Sequence, residues 1–348
     1  MHDPAERADI FNVGRMTSHG SCKVSGPTLQ WCRSRLAVGL YSDLLARMLT
    51  VWTSRVYVRS NGLEPTMTGS QDAVWNGPVG DSWVRNAVAY DRLLEPLGLA
   101  ALARLDPGPG ECVLDVGCGT GATTLDLGRR VGPAGSVVGV DVSRPMIEQA
   151  RARRRESRSV DHVDFRVLDV EHDELPGPFD VAFSRLGVMF FEHPEVAFAR
   201  IASSLEPHGR LVFVCFASPA ENLFITVPTD AALAILGGPG MPSATSAGPF
   251  SLADPRAVRE LLAAAGFGSV DVAAGPDVVT LGPAEGLATV AGQALEQNPL
   301  VMARLIANPD LRRAAVSAAA DALSEHVHDG EVRLAAATWI VEAVHARM

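Results

Sequence analysis

The chain has almost no lysine: arginine supplies 29 of its 30 basic residues, and Lys23 is the exception. Schiff-base chemistry and other lysine-based mechanisms are therefore excluded beyond the N-terminal segment. Cysteine is also sparse. Cys22, Cys32, Cys112, Cys118 and Cys215 show neither metal-ligand spacing nor a dense, even framework. They read as reduced thiols of a cytoplasmic protein, with no metal centre implied. No charge-free apolar run reaches the ~18 residues of a membrane span, and the opening Met-His-Asp-Pro-Ala-Glu lacks a basic stretch followed by an apolar one. The sequence thus predicts no membrane span and no export. Basic charge is in deficit as well: the formal net charge is −10 and the pI near 5.4. Neutralising phosphates with Lys and Arg supplies most nucleic-acid affinity, so this balance argues against nucleic acid and for a small-molecule partner.

What is present is order, from about residue 81 onward. An amphipathic helix carrying Trp83, Val84, Ala87, Leu93, Leu94 and Leu97 leads through Pro107-Gly108-Pro109-Gly110 into the apolar run Cys112 to Val116. A helix through Arg130, a turn at Gly132-Pro133 and the run Val137 to Val140 complete a βαβ unit with parallel strands. The alternation continues with a helix from Pro145, strands at 163–168 and 179–183, a helix from Pro194 and a strand at 211–216. Asp254-Pro255 starts a helix that Gly266 closes before a strand at 270–272. The pattern predicts a Rossmann-like, doubly wound, seven-stranded and mostly parallel α/β sheet, its last strand (Thr338 to Val341) antiparallel. Residues 237–251 read as a mobile loop and the alanine-rich stretch 283–326 as a helical insert, together expected to cover the substrate.

The chemistry sits where Val113-Leu114-Asp115-Val116 runs into Gly117-Cys118-Gly119-Thr120-Gly121 and then a helix. Glycines let the backbone take positive φ and let a ligand lie against main chain, and the helix N-terminus offers N–H groups to a carboxylate. The same spacing also satisfies a relaxed dinucleotide fingerprint. Three aspartates at successive strand ends discriminate. Asp115 can hold an ammonium group, Asp141 the two ribose hydroxyls, and Asp169 the exocyclic amine of adenine. Cation, ribose and adenine are the parts of S-adenosylmethionine. A nicotinamide dinucleotide would leave Asp115 without a cationic partner. Singly, each aspartate is better explained as a helix cap or turn residue.

These segments, with Val138 to Ser143, Leu168-Asp169-Val170, Phe179-Asp180-Val181, Leu205 to Leu211 and Ala264 to Phe267, resemble the class I S-adenosylmethionine-dependent methyltransferases of the ubiquinone and menaquinone biosynthesis type. The resemblance implies a methyl transfer to O, N or C of a small molecule. By it Gly117, Gly119 and Gly121 line the methionine and ribose side, Asp141 binds the ribose and Val142 packs on the adenine. Asp169 and the Val170 backbone read the adenine edge, and the Ser184 carbonyl meets the methionine amine. Trp75 to Gly80 with Trp83 resembles a segment that folds over the cofactor in one branch; Trp83 and Tyr90 read equally as helix core.

Methyl transfer asks mainly for alignment and exclusion of water, with a base only where the acceptor must lose a proton. Arg185, Glu192 and His193, after the fourth strand, are the candidates for that service, although His193 before Pro194 also fits a helix start. The run Arg151 to Arg158 reads as a solvated helix end. Two other classes remain open to the sequence: a nicotinamide-dependent oxidoreductase, and a non-catalytic cofactor-binding protein. Residues 1–66 carry eight basic against five acidic residues, where the rest has 22 against 35. They predict a poorly ordered, dispensable extension to a methyltransferase domain over 67–348.

Overall fold

Val113, Leu114 and Val116 are wholly buried, which makes Cys112–Val116 an interior strand covered on both faces. The protein is described by a computed structural model over residues 70–158, 160–237 and 247–346, all within the unit Arg59–Met348. The proposed extension 1–66 and most of the predicted loop, 238–246, lie outside the described residues.

Helices α1 (Gln71–Trp75), α2 (Pro78–Arg85) and α3 (Ala87–Leu105) precede β1 (Cys112–Val116), α4 (Ala122–Val131), β2 (Ser136–Asp141) and α5 (Arg144–Glu156). Then follow β3 (Val163–Val167), β4 (Phe179–Arg185), α6 (Pro194–Ser203), β5 (Leu205–Phe216), α7 (Leu223–Leu236) and α8 (Pro255–Ala264). The chain continues through β6 (Phe267–Ala274), β7 (Val278–Pro283), α9 (Leu287–Glu296), α10 (Pro299–Ala307) and α11 (Arg312–Ser324). It closes with β8 (Val327–His328), β9 (Glu331–Ala335) and β10 (Thr338–His345).

The main sheet runs β3-β2-β1-β4-β5-β10-β6. Its first five strands pair in parallel, and β10 inserts antiparallel between β5 and β6. This is the mostly parallel seven-stranded sheet with an antiparallel last strand that the alternation predicts. The caps follow local chemistry: Ser143 accepts the Met146 N–H ahead of α5, and Asp254 the Arg256 N–H ahead of α8.

Three readings need correction. The single helix expected through Trp83 and Leu97 is two, because Asn86 ends α2 and begins α3. The insert between β6 and β10 is not purely helical. It also carries a small antiparallel sheet β7-β9-β8, whose middle strand buries Val332 and Leu334 and turns Glu331 and Arg333 outward. The arginine run after Met146 is not a purely solvated face, since Arg151 and Arg154 donate to the Phe165 and Val163 carbonyls and Arg153 binds Asp91. Those carbonyls belong to the edge strand β3, which leaves acceptors for nearby guanidinium groups.

Candidate active site

Strands β1 and β4 lie side by side while their other neighbours, β2 and β5, lie on opposite flanks, so their C-terminal ends open the switch-point crevice of the sheet. The chains leaving them nearly touch. A Cβ on Gly117 (φ +66°) would lie 2.8 Å from the Gly187 Cα, so both positions must lack a side chain. Two residues on, Gly119 (φ +54°) is different: a Cβ there would meet only Met146 Sδ, at 3.8 Å, and otherwise project into open space. Helix α4 then starts at Gly121 without a side-chain cap, leaving first-turn N–H groups free for a ligand.

Three carboxylates surround this loop. Asp115, 1% exposed, accepts from Thr124 Oγ1 at 2.7 Å, and burial pushes its carboxyl up to about 7 against the help of Thr124 and Arg185. Asp141 accepts the Gly119 and Ser143 N–H groups, both at 2.8 Å, and burial raises its carboxyl too. Asp169 accepts the Glu171 N–H at 2.9 Å and faces the His172 ring at 3.0 Å. Each carboxylate oxygen can accept a second bond, so local anchoring and ligand binding are compatible.

All three open on one cavity of about 1030 Å³. Its lining includes Asp115, Gly117, Gly119, Asp141, Val142, Asp169 and Val170. It also includes the large apolar side chains of Trp83, Phe190, Phe216, Phe224, Phe250 and Leu300, from α2, the turn after β4, β5, α7, the 247–251 turn and α10. Both predicted cover segments therefore contribute to the wall. The 247–251 turn is pinned, with Gly248 N–H and Ser251 Oγ both donating to the Met189 carbonyl.

Gly121, Ser184 and His193 do not line the cavity. A Cβ on Gly121 would strike Phe165 and Ala150 at 2.7 and 2.8 Å, so this glycine serves helix-to-strand packing. Ser184 is fully buried and accepts the Gly187 N–H at 3.3 Å. His193 is the first-turn cap residue of α6, its N–H bound to Glu171 and its exposed ring 3.8 Å from Glu195. Arg185 does line the cavity, with Nη2 3.3 Å from Asp91 Oδ1. The other Asp91 oxygen takes Arg153 at 2.7 Å, and Arg153 reaches Thr120 Oγ1 at 3.1 Å. Asp91 thus ties α3 to both β4 and the glycine loop. Nothing in the local sequence marks it; only the spacing of Ala87, Asp91 and Leu94 on one helix face hints at it.

Residues 113–209 match a family model described as a methyltransferase domain. The chain is 33% identical over 148 residues to the aklanonic acid methyltransferase DauC of a Streptomyces species, covering 41% of this chain and 67% of that one. It belongs to the S-adenosylmethionine-dependent methyltransferases. Nocamycin O-methyltransferase of Saccharothrix syringae is 36% identical over 132 residues, covering 36% of this chain and 47% of that one. The ubiquinone/menaquinone biosynthesis C-methyltransferase UbiE of Stutzerimonas stutzeri is 35% identical over 118 residues, covering 33% and 45%. The chain spans about half the length of these last two relatives.

The site of this methyltransferase suits the family's methyl donor. The space that a Gly119 side chain would fill, the uncapped start of α4 and the dehydrated Asp115 carboxylate offer room, N–H donors and a counter-charge for a zwitterionic amino acid.

Proposed function

We propose that the protein transfers the methyl group of S-adenosylmethionine to a hydroxyl oxygen of a neutral, apolar aromatic small molecule. One observation carries the reading: a single cavity is lined both by the glycine loop with its aspartates and by several aromatic side chains. Such a chamber excludes water and seats a flat, apolar body beside the donor. The lining holds Asp91, Asp115, Asp141, Asp169, Glu171 and Glu192 against Arg185, which disfavours an anionic acceptor. Oxygen is favoured as the acceptor atom by the relative named for O-methylation.

When bound, the donor supplies an electrophilic methyl on a sulfonium. Asp115, Gly117, Gly119, Asp141, Val142, Asp169 and Val170 would hold it. Arg185, between Asp91 and Asp115, would stabilise the acceptor oxygen as its proton passes to a carboxylate of the lining such as Glu192, while the sulfur–methyl bond breaks and S-adenosylhomocysteine leaves. Incubation with S-adenosylmethionine and a panel of hydroxylated polycyclic aromatics tests the reading. Conversion to methyl ethers, detected by mass, supports it. Methylation confined to carboxylates or amines contradicts it.

A further inference from the structure

Arg185 stands between two carboxylates and is bonded to one of them. Its Nη2 donates to Asp91 Oδ1 at 3.3 Å, the one hydrogen bond of that guanidinium among the described residues. The stem is held by a missing side chain: a Cβ on Gly98 would lie 2.8 Å from Arg185 Cδ. Gly98 follows Asp91 by seven residues and so shares its face of α3, which makes that face a slot for the arginine. Asp91 is fixed in turn, because its other oxygen takes Arg153 at 2.7 Å and Arg153 reaches Thr120 in the glycine loop.

Asp115 is the other carboxylate. It is in register with Phe183 on the neighbouring strand, so Arg185, two residues further along β4, projects from the same face of the sheet. Thr124 of α4 donates to Asp115 Oδ2 at 2.7 Å, while Arg185 of β4 and Asp141 of β2 act on it by charge in opposite senses. Burial outweighs them and leaves the carboxyl at about 7, short of a compensating cation. Two cations can fill that need, the guanidinium with its unused N–H groups and the ammonium group of the methyl donor. They compete for one carboxylate.

We propose that Asp91 is a positioning residue for the cofactor: by holding the Arg185 guanidinium on α3, it leaves the Asp115 carboxylate to the donor's ammonium group, directly or through one water. This rests on the reading of Asp115 and the glycine loop as the donor site. Without Asp91, Arg185 closes on Asp115, since a buried carboxylate attracts the nearest cation far more strongly than one in water. The cofactor then has to displace an ion pair. Asp91 itself touches no reacting atom.

The test is calorimetry on the full chain at about pH 8.5, above the range in which Asp115 titrates. The ligands are S-adenosylhomocysteine and S-adenosyl-4-thiobutyrate, the analogue with hydrogen in place of the amino group. Asp91→Asn should cut the affinity ratio of the first to the second by about tenfold, the scale of one hydrogen bond to a charged group. Adding Arg185→Met should restore the ratio. Gly98→Ala suits a helix and alters no charge, yet it crowds the Arg185 stem off α3, so it should cut the ratio in the same direction. A purely structural role for Asp91 would weaken both ligands alike. An unaltered ratio in either single variant overturns the proposal, as does a ratio that Arg185→Met fails to restore. If the unmodified protein binds the two ligands equally, the ammonium assignment of Asp115 itself fails, and the proposal with it.

Discussion

Asp141 accepts the Gly119 N–H at 2.8 Å with one carboxylate oxygen and the Ser143 N–H at 2.8 Å with the other, so the end of β2 fixes the glycine loop. Asp141→Ala removes both anchors and a ligand contact. It is expected to weaken S-adenosylhomocysteine binding by about 1.5–3 kcal/mol, the scale for hydrogen bonds to a charged group. Asp141→Asn, which keeps one acceptor oxygen, should lose less. Calorimetry reads both, and unchanged affinity in the alanine variant would remove the assignment.

Two glycines of the same loop should fail differently. Gly119→Val places its side chain in the cavity, so binding should be lost while the melting temperature drops only by the cost of strain at positive φ, about 1–3 kcal/mol. Gly121→Val drives a side chain into Phe165 and Ala150, and should unfold the domain or lower its melting temperature much further. Equal losses of stability would show that the two positions are not distinguished in this way.

Sequence and structure agree wherever a strong local pattern and the tertiary environment pull together. The β-branched runs of β1 and β2 and the glycines between β1 and α4 announce the sheet and the crevice. Asp115, Asp141 and Asp169 are legible as candidates because each lies at or within two residues of the C-terminal end of a strand. Gly121 was not separable from Gly117 and Gly119, since spacing says nothing about which way an absent Cβ would point. His193 is a chemical candidate by its place after the fourth strand, but its position before Pro194 equally fits a helix start, and it caps α6 with its exposed ring 3.8 Å from Glu195. Asp91, Arg153 and the sheet β7-β9-β8 were hidden for one reason. Their partners lie 62 residues away for the Asp91–Arg153 pair and about 50 for β7 with β9, so only the folded chain brings them together.

Asp115 should give a pH signature. Its folded value, about 7, lies above the ordinary carboxylate range, so the native chain keeps a proton that the unfolded chain releases. The ligand-free protein should then be most favoured below about pH 4 as regards this group. That contribution, about 4 kcal/mol, is lost as pH rises through 7. Cofactor affinity should run oppositely, rising between pH 5.5 and 7.5 as the carboxylate ionises beneath the ammonium group. Asp115→Asn should flatten both profiles; a binding profile that keeps its slope would assign the titration elsewhere.

Glu296 joins the N-terminal helices to the insert. Its carboxylate accepts from Ser82 at 3.1 Å and Asn86 at 3.3 Å, and pairs with Arg85 and Arg312. Glu296→Ala removes this shared acceptor and is expected to lower stability by about 1–3 kcal/mol in denaturant titration. S-adenosylhomocysteine affinity should change little. A cofactor loss as large as that of Asp141→Ala would mean that the insert also shapes the cofactor end.

The central claim is that the glycine-loop end of the cavity holds S-adenosylmethionine, and parallel calorimetric titrations of the full chain with S-adenosylhomocysteine and NAD test it most directly. The account expects one S-adenosylhomocysteine per chain, binding abolished by Gly119→Val, and no heat from NAD. Saturable NAD binding, or S-adenosylhomocysteine binding that survives Gly119→Val, would contradict it.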